Sequence, residues 1–196
     1  MTAAFRLEVL GAGHAREGFV CGVEALDQYF VRQATQDVRR RASACYVAVA
    51  VSRECGSATF LDPHGGRAPQ GGVLGALNSG KVAGYYTLAA GGVPLTDLPQ
   101  ALTKRLPRYP CVPVARVGRL AVDRAFHGRK LGGALLADAA LRALRSEVAV
   151  FALVVDAKDD AAEAFYRHHG FERFGTKARQ LIVSLKNFAH DAEIGR

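Results

Sequence analysis

The sequence predicts an α/β fold, a mixed central sheet with helices flanking it. Two observations carry that prediction. Between residues 113 and 171 an apolar strand, a glycine-bearing loop, a helix, a second apolar strand and a second helix follow one another, which is the order of a βαβ unit. Upstream, short β-rich runs alternate with a segment of helical periodicity, so strands and helices are interleaved along the chain. The length, 196 residues, suits one domain with a substantial core and is short for two, so 1–196 is read as a single domain.

The first element is VEALDQYFVRQATQDVRRR (23–41), where Val23, Leu26, Phe30 and Ala34 fall on one helical face. Arg39, Arg40 and Arg41 close it, and cations at a helix C-terminus suit its dipole. ACYVAVAV (44–51) is a buried strand. Residues 52–80 scatter glycine among serine, proline and asparagine without a period and read as a glycine-rich insertion loop. VAGYYTLAA (82–90) is a second strand, after which prolines bracket a short helix over Gln100 to Leu106. PVARVGRLAVD (113–123) is a strand leading into the glycine loop and a helix with an apolar stripe of Ala134, Ala137, Leu141 and Leu144. VAVFALVVDA (148–157) is a buried strand, DDAAEAFYRHHGF (159–171) a helix ended by Gly170, and QLIVSLKNF (180–188) a last strand.

Composition narrows the setting. No apolar run approaches the length that spans a bilayer, and MTAAFRLEVLGAGHAREGF lacks the basic-then-apolar order of a secretion signal, so the expectation is a soluble, cytoplasmic protein with no membrane contact. Four cysteines, Cys21, Cys45, Cys55 and Cys111, stand far apart with no C-x-x-C pair and read as reduced core thiols. A formal charge of +8 points to an anionic partner, a nucleic acid or a phosphorylated cofactor. His168 and His169 are adjacent and cannot face one way on a helix, so no metal pair is expected and they read as solvated or capping.

The stretch HGRKLGGALLADAALRAL (127–144) concentrates the chemistry. Gly128, Gly132 and Gly133 let an anion approach the main chain at a helix N-terminus, where unpaired N–H groups and the dipole receive it, and Arg129 and Lys130 add cations at its edge. The same loop also reads as a plain strand-to-helix turn with solvated charges. No Gly-Lys-Ser/Thr and no G-x-G-x-x-G is present, which argues against a nucleoside triphosphate or a dinucleotide.

RLAVDRAFHGRKLGGALLADA resembles motif A of the GNAT acetyltransferases, an L-x-V strand end followed by Q/R-x-x-G-x-G/A at a helix start. His127 takes the Gln/Arg position, Lys130 the first glycine and Gly132 the second; the first two depart from the pattern. The resemblance implies a GNAT fold whose sheet is splayed at an acetyl-CoA site. It places the pyrophosphate on the amides of Gly128, Arg129, Lys130, Leu131, Gly132 and Gly133, with His127 also in the cofactor site. The pantetheine lies beside Leu120, Ala121 and Val122, with Phe165 near it. FVCGVEALDQYFVRQATQDVRRR, GYYTLAAGGVPL, ARVGRLAVD and AFYRHHGF, in that order, are similar to the GNAT toxins of bacterial type II toxin–antitoxin modules. That likeness implies acetylation of the α-amino group of an aminoacyl-tRNA, which blocks translation, with Tyr166 as general acid; from the residues alone, Tyr166 and Phe165 read as core on the inner face of the last helix. It also implies a ribbon-helix-helix antitoxin and a homodimer.

The chemistry is consistent with that implication. An α-amino group of pKa roughly 7.7 to 8.0 has a useful neutral fraction near pH 7, so it needs no strong base. An N–H such as that of Val122 steadies the oxyanion while Tyr166 protonates the departing thiolate. Arg32, Arg39, Arg40, Arg41, Lys104, Arg105 and Arg108 form either a solvated face or a phosphate-binding one, and Arg119 is either structural or reaches the acceptor end. A GNAT enzyme for a small amine or protein N-terminus, and a catalytically poor domain that binds acyl-CoA or nucleic acid, stand as alternatives.

Overall fold

A computed structural model describes residues 4–51, 80–104, 106 and 109–188. Among them run β1 (Ala4–Val9), α1 (Glu24–Arg32), α2 (Ala34–Arg39), β2 (Ala44–Val51), β3 (Val82–Pro94), α3 (Gln100–Thr103), β4 (Cys111–Val122), α4 (Leu131–Leu144), β5 (Ala152–Asp156), α5 (Asp160–His168), β6 (Glu172–Arg173) and β7 (Gln180–Ser184). The strands form one sheet in the order β1-β2-β3-β4-β5-β7-β6. β4 and β5 are parallel, joined by α4 as the crossover, and every other neighbouring pair is antiparallel.

The centre of the sheet is where it opens. β4 pairs β5 only from Val114↔Ala152 to Val117↔Val155, whereas it stays on β3 as far as Gly84↔Val122. Beyond Val117 the end of β4 therefore has, among the described residues, a strand partner on one side only. A register shift between Thr87 and Leu88 leaves Gly118 as the extra residue of β4 at that fork. Bulges bend the strand that carries them, which suits a strand leaving its neighbour.

Three apolar clusters hold the layers. On one face α4 lays Leu131, Leu135, Leu136, Ala139, Ala140 and Ala143 against Ala83, Tyr86, Val117 and Val155, and Tyr166 and Phe171 join them. The expected stripe of Ala134, Ala137, Leu141 and Leu144 is the wrong face: Ala134, Ala137 and Leu144 are exposed and Leu141 half-buried. In so alanine-rich a helix the apolar period selects no face, and the bulkiest side chains decide which one meets the sheet. Burying one such leucine is worth about 1.5 to 3 kcal/mol. On the opposite face Tyr29, Phe30 and Ala34 of the α1–α2 segment pack on Val47, Val82, Tyr85 and Ala121, and Leu98 packs on Val112, Val114 and Val154.

Other boundaries moved. The helix expected over 23–41 is interrupted at Gln33, and the one expected over 100–106 ends at Thr103. β3 runs on to Pro94, β5 begins only at Ala152, and the chain turns helical after Ser184. Gly170 follows α5 with φ +82°, the left-handed step that ends a helix. Cys45 is buried, Cys21 half-buried and Cys111 exposed, so Cys111 is no core thiol. The insertion at 52–79, Cys55, Arg105 and Arg108 lie outside the described residues.

Candidate active site

The free edge of β4 is the first component. Asp123 donates its N–H to the Ala83 carbonyl at 2.8 Å, and Arg119 donates its own to Thr87 Oγ1 at 3.0 Å, so these residues point their amides toward β3. Alternation along a strand then turns the N–H and C=O of Leu120 and Val122 to the other side, into the gap that β5 has left. The Val122 carbonyl is met there by His127, whose Nε2 donates to it at 2.8 Å. Ala121 is turned the other way, with its side chain in the α1 core and its backbone on Tyr85.

The second component is the start of α4. Ala134 makes the first intrahelical bond, from its N–H to Lys130 O at 3.2 Å, which leaves the amides of Leu131, Gly132 and Gly133 without helical partners. Lys130 occupies the cap position with φ 58° and ψ 16° and gives no side-chain cap. Gly128 also has a positive φ, +73°, so the chain makes two left-handed steps in three residues before entering the helix. Gly132 is closely packed: a Cβ there would come within 3.3 Å of the Phe165 ring, which would have to give by a few tenths of an ångström.

A cleft of about 600 Å³ results, lined by Val122, Phe126, His127, Gly128, Lys130, Leu131, Gly132, Gly133, Phe165, His168 and His169. Eight of the residues expected around a phosphorylated ligand meet in it: Val122, His127, Gly128, Lys130, Leu131, Gly132, Gly133 and Phe165. Leu120 and Ala121 do not line it, and Arg129 lies outside with its guanidinium 5.3 Å from the centre of the Phe126 ring. Phe126, His168 and His169 are additions. His168 is exposed and His169 takes the C-cap position of α5, as expected, and both also border the cleft, where a Cβ on Gly133 would lie 3.0 Å from the His169 ring. Burial and the neighbouring His168 depress the His169 pKa. The AFYRHHGF string held the signal, yet only the packing of α5 on α4 shows that both rings border the cleft.

Tyr166 does not line the cleft. It sits behind Phe165, 8% exposed, its ring centre 5.2 Å from that of Phe165 and 5.4 Å from that of Phe171, in the core shared with Val122 and Leu131. Burial alone pushes its phenol up to about 12, so it holds its proton throughout the neutral range. Below the fork, Asp123 is buried and accepts from the amides of Ala125 (2.9 Å) and Val20 (3.2 Å) and from Lys81 Nζ (3.2 Å). Burial by itself would raise its carboxyl; those three donors outweigh it and hold the group below the usual carboxylate range.

The cations expected to meet a substrate lie elsewhere. Arg32, Arg39, Arg40, Arg41 and Lys104 are exposed on α1, α2 and the end of α3, across the sheet from the cleft. Arg119 shares their face, with its guanidinium carbon 3.5 Å from the centre of the Tyr29 ring.

A fork that bares one strand edge and a helix start with three free amides meet at this cleft, with a buried phenol behind Phe165. The acetyltransferase (GNAT) family matches residues 28–171, which includes all of these parts. The chain belongs to the GNAT acetyltransferase family. Within it, the chain is 39% identical over 110 residues to a tRNA-acetylating toxin of Mycobacterium tuberculosis, covering 55% of this chain and 65% of that protein. It thus spans slightly less than two thirds of that relative. A probable toxin TacT of Sinorhizobium fredii is 21% identical over 181 residues, 88% of this chain and 86% of the relative. Among solved structures, AtaT complexed with acetyl-methionyl-tRNAfMet superposes with a TM-score of 0.75 at 23% identity, covering 96% of this chain and 99% of that one. AtaTR bound with AcCoA gives 0.71 at 22%, covering 96% and 98%. These structures share the GNAT fold with this chain.

Proposed function

We propose that this chain transfers acetyl from acetyl-CoA to the α-amino group of aminoacyl-tRNA and thereby blocks translation, as the toxin of a toxin–antitoxin pair. The observation that carries the reading is the bared edge of β4 at Leu120 and Val122, facing a cleft closed by the free amides of α4. The 39% identity to a tRNA-acetylating toxin supports the choice of substrate. The cleft suits the cofactor chemically, since it offers unpaired N–H donors and Lys130 for phosphates and the Phe126, Phe165 and Leu131 side chains for an apolar arm.

Acetyl-CoA supplies the thioester. The amides of Leu131, Gly132 and Gly133 hold its pyrophosphate, and Lys130, with Arg129 at the edge, adds charge. The Val122 N–H would donate to the thioester's carbonyl oxygen and so steady the negative charge that acyl transfer to the amine places on it. The proton shed by the nitrogen would pass to water, and Tyr166, which stands behind Phe165 and not on the cleft wall, would supply a proton to the thiolate and be refilled from solvent. Arg32, Arg39, Arg40, Arg41, Lys104 and Arg119 on the other face, together with Arg105, meet the phosphates of the tRNA. An acidic, flexible tail of a ribbon-helix-helix antitoxin suits the same +8 surface. The enzyme acts in the cytoplasm as a homodimer, with the antitoxin outside the two-fold seam.

The test is transfer of labelled acetyl to charged tRNA by the purified protein and by Tyr166→Phe. The variant is expected to lose on the order of 10²-fold or more in turnover, while acetyl-CoA still raises its melting temperature. Undiminished turnover removes Tyr166 from the mechanism. Brisk acetylation of polyamines or peptides, with none of charged tRNA, replaces the toxin reading with a small-amine transferase.

A further inference from the structure

The face of the sheet opposite the cleft carries a second polar group at the fork. Asp156 is the last residue of β5 and the first beyond the final β4–β5 pair, Val117↔Val155. Its side chain shares a face with Val154, which belongs to the α3-side cluster, and not with Val155, which belongs to the α4 side. It therefore stands at the mouth of the opening, on the side away from the cleft. Arg116 lies on the same face, and its Nη1 binds Asp156 Oδ2. The carboxylate is nevertheless 57% exposed, and the second oxygen is left for a ligand.

The surroundings make this pair more than surface decoration. The apolar clusters on this face stop on either side of the fork: one ends at Tyr29, Tyr85 and Ala121, the other at Val114 and Val154. Between them the sheet presents Thr87, Arg116, Arg119 and Asp156. The Arg119 guanidinium is stacked on Tyr29, whose hydroxyl donates to Asp37 at 2.9 Å, and among the described residues no carboxylate pairs with Arg119. At about 3.3 Å per strand residue, Arg119 and Arg116 are roughly 7 to 10 Å apart. One side of the fork thus offers a held cation and the other a held carboxylate. A substrate with an ammonium group near a phosphate matches that polarity.

We infer that Asp156 binds the α-ammonium group of the acceptor and presents its nitrogen to the fork from the face opposite the cofactor cleft. The inference rests on the proposed acetylation of aminoacyl-tRNA and assigns the residue that recognises the amine. Arg116 keeps the carboxylate aimed at the opening, and an exposed ion pair of this kind costs little to share with a second cation. The bound ammonium sheds one proton to water before its nitrogen attacks; the carboxylate then favours the positive charge that grows on the nitrogen as the new bond forms, so its effect falls on the acceptor and not on acetyl-CoA.

The experiment compares the binding of charged tRNA with that of the same tRNA after nitrous-acid deamination, which replaces the α-amino group by hydroxyl, at pH 6.5 with CoA present. The unaltered protein is expected to bind the charged form about tenfold more tightly. Asp156→Asn should erase that preference while leaving the Kd for the deaminated tRNA and for acetyl-CoA unchanged. Asp156 is exposed, so its replacement leaves the core untouched, and the unchanged acetyl-CoA Kd checks that the variant is folded. An undiminished preference in the variant, an equal loss for both tRNAs, or no preference in the unaltered protein overturns the assignment. Failure to acetylate any charged tRNA is a separate result that removes the substrate reading. The same comparison, made with whichever peptide amine is acetylated and its hydroxyl analogue, then decides Asp156.

Discussion

Lys130 stands where the motif carries glycine, and the backbone there keeps the conformation a glycine would take, φ 58° and ψ 16°. A side chain in the left-handed region costs about 1 to 2 kcal/mol, part of which glycine would give back through its larger unfolded-state entropy. The lysine is retained at that cost, which fits a cation placed on the cleft. Lys130→Gly is expected to raise the melting temperature of the free protein by about 1 to 3 °C and to weaken acetyl-CoA several-fold. Thermal melts with and without the ligand check both. A less stable variant with unchanged affinity would mean that the residue neither strains the loop nor touches the ligand. Tyr166 shows the same tension between packing and chemistry, since the burial that places it in the core also keeps its proton in place.

At the scale of elements, the loops around the fork are tied by one carboxylate. Asp123 holds the turn after β4 through Ala125, the chain before α1 through Val20, and the start of β3 through Lys81. Its folded pKa lies below the unfolded value of roughly 3.9, so its contribution is fully present above that pH and is lost as the pH falls through the lower, folded value. Asp123→Asn is expected to cost about 1 to 3 kcal/mol at pH 7. The difference between the two proteins should shrink in acid, as denaturant titrations at pH 7 and pH 3 would show. A gap that stays constant with pH would mean that the carboxylate charge is not what ties the elements.

Across the whole molecule the two faces of the sheet carry different elements. The cleft lies with α4 and α5, and the exposed arginines of α1 and α2 lie on the other side of the sheet. If the arginine face grips RNA, the affinity for charged tRNA falls steeply with salt, because each neutralised phosphate releases counterions. Replacing Arg39, Arg40 and Arg41 together by Ala should then reduce the magnitude of the log–log salt slope by roughly 2 to 3 while leaving acetyl-CoA affinity as it was. An unchanged slope would reduce those residues to an ordinary solvated face.

How much of this was legible in the chain depends on the range of the interaction involved. The βαβ order, the glycine loop at the start of α4, the end of α5 at Gly170 and the GNAT motifs are local patterns. Their physics acts within a few residues, through backbone freedom, hydrophobic period and caps, so the sequence by itself determined the fold class and most of the cleft. β1 was missed although Phe5 and Leu7 alternate with charged residues, because six residues at a chain end make a weak period. Where the period was degenerate, as along the alanines of α4, the buried face was settled only by packing on the sheet. The same holds for His168 and His169 on the cleft, for the depth of Tyr166 and for the pairing of Arg116 with Asp156. Each depends on which distant segment arrives, and that is decided by how the apolar surfaces of strands and helices fit together, with β4 and β5 held over four residues and parted beyond them.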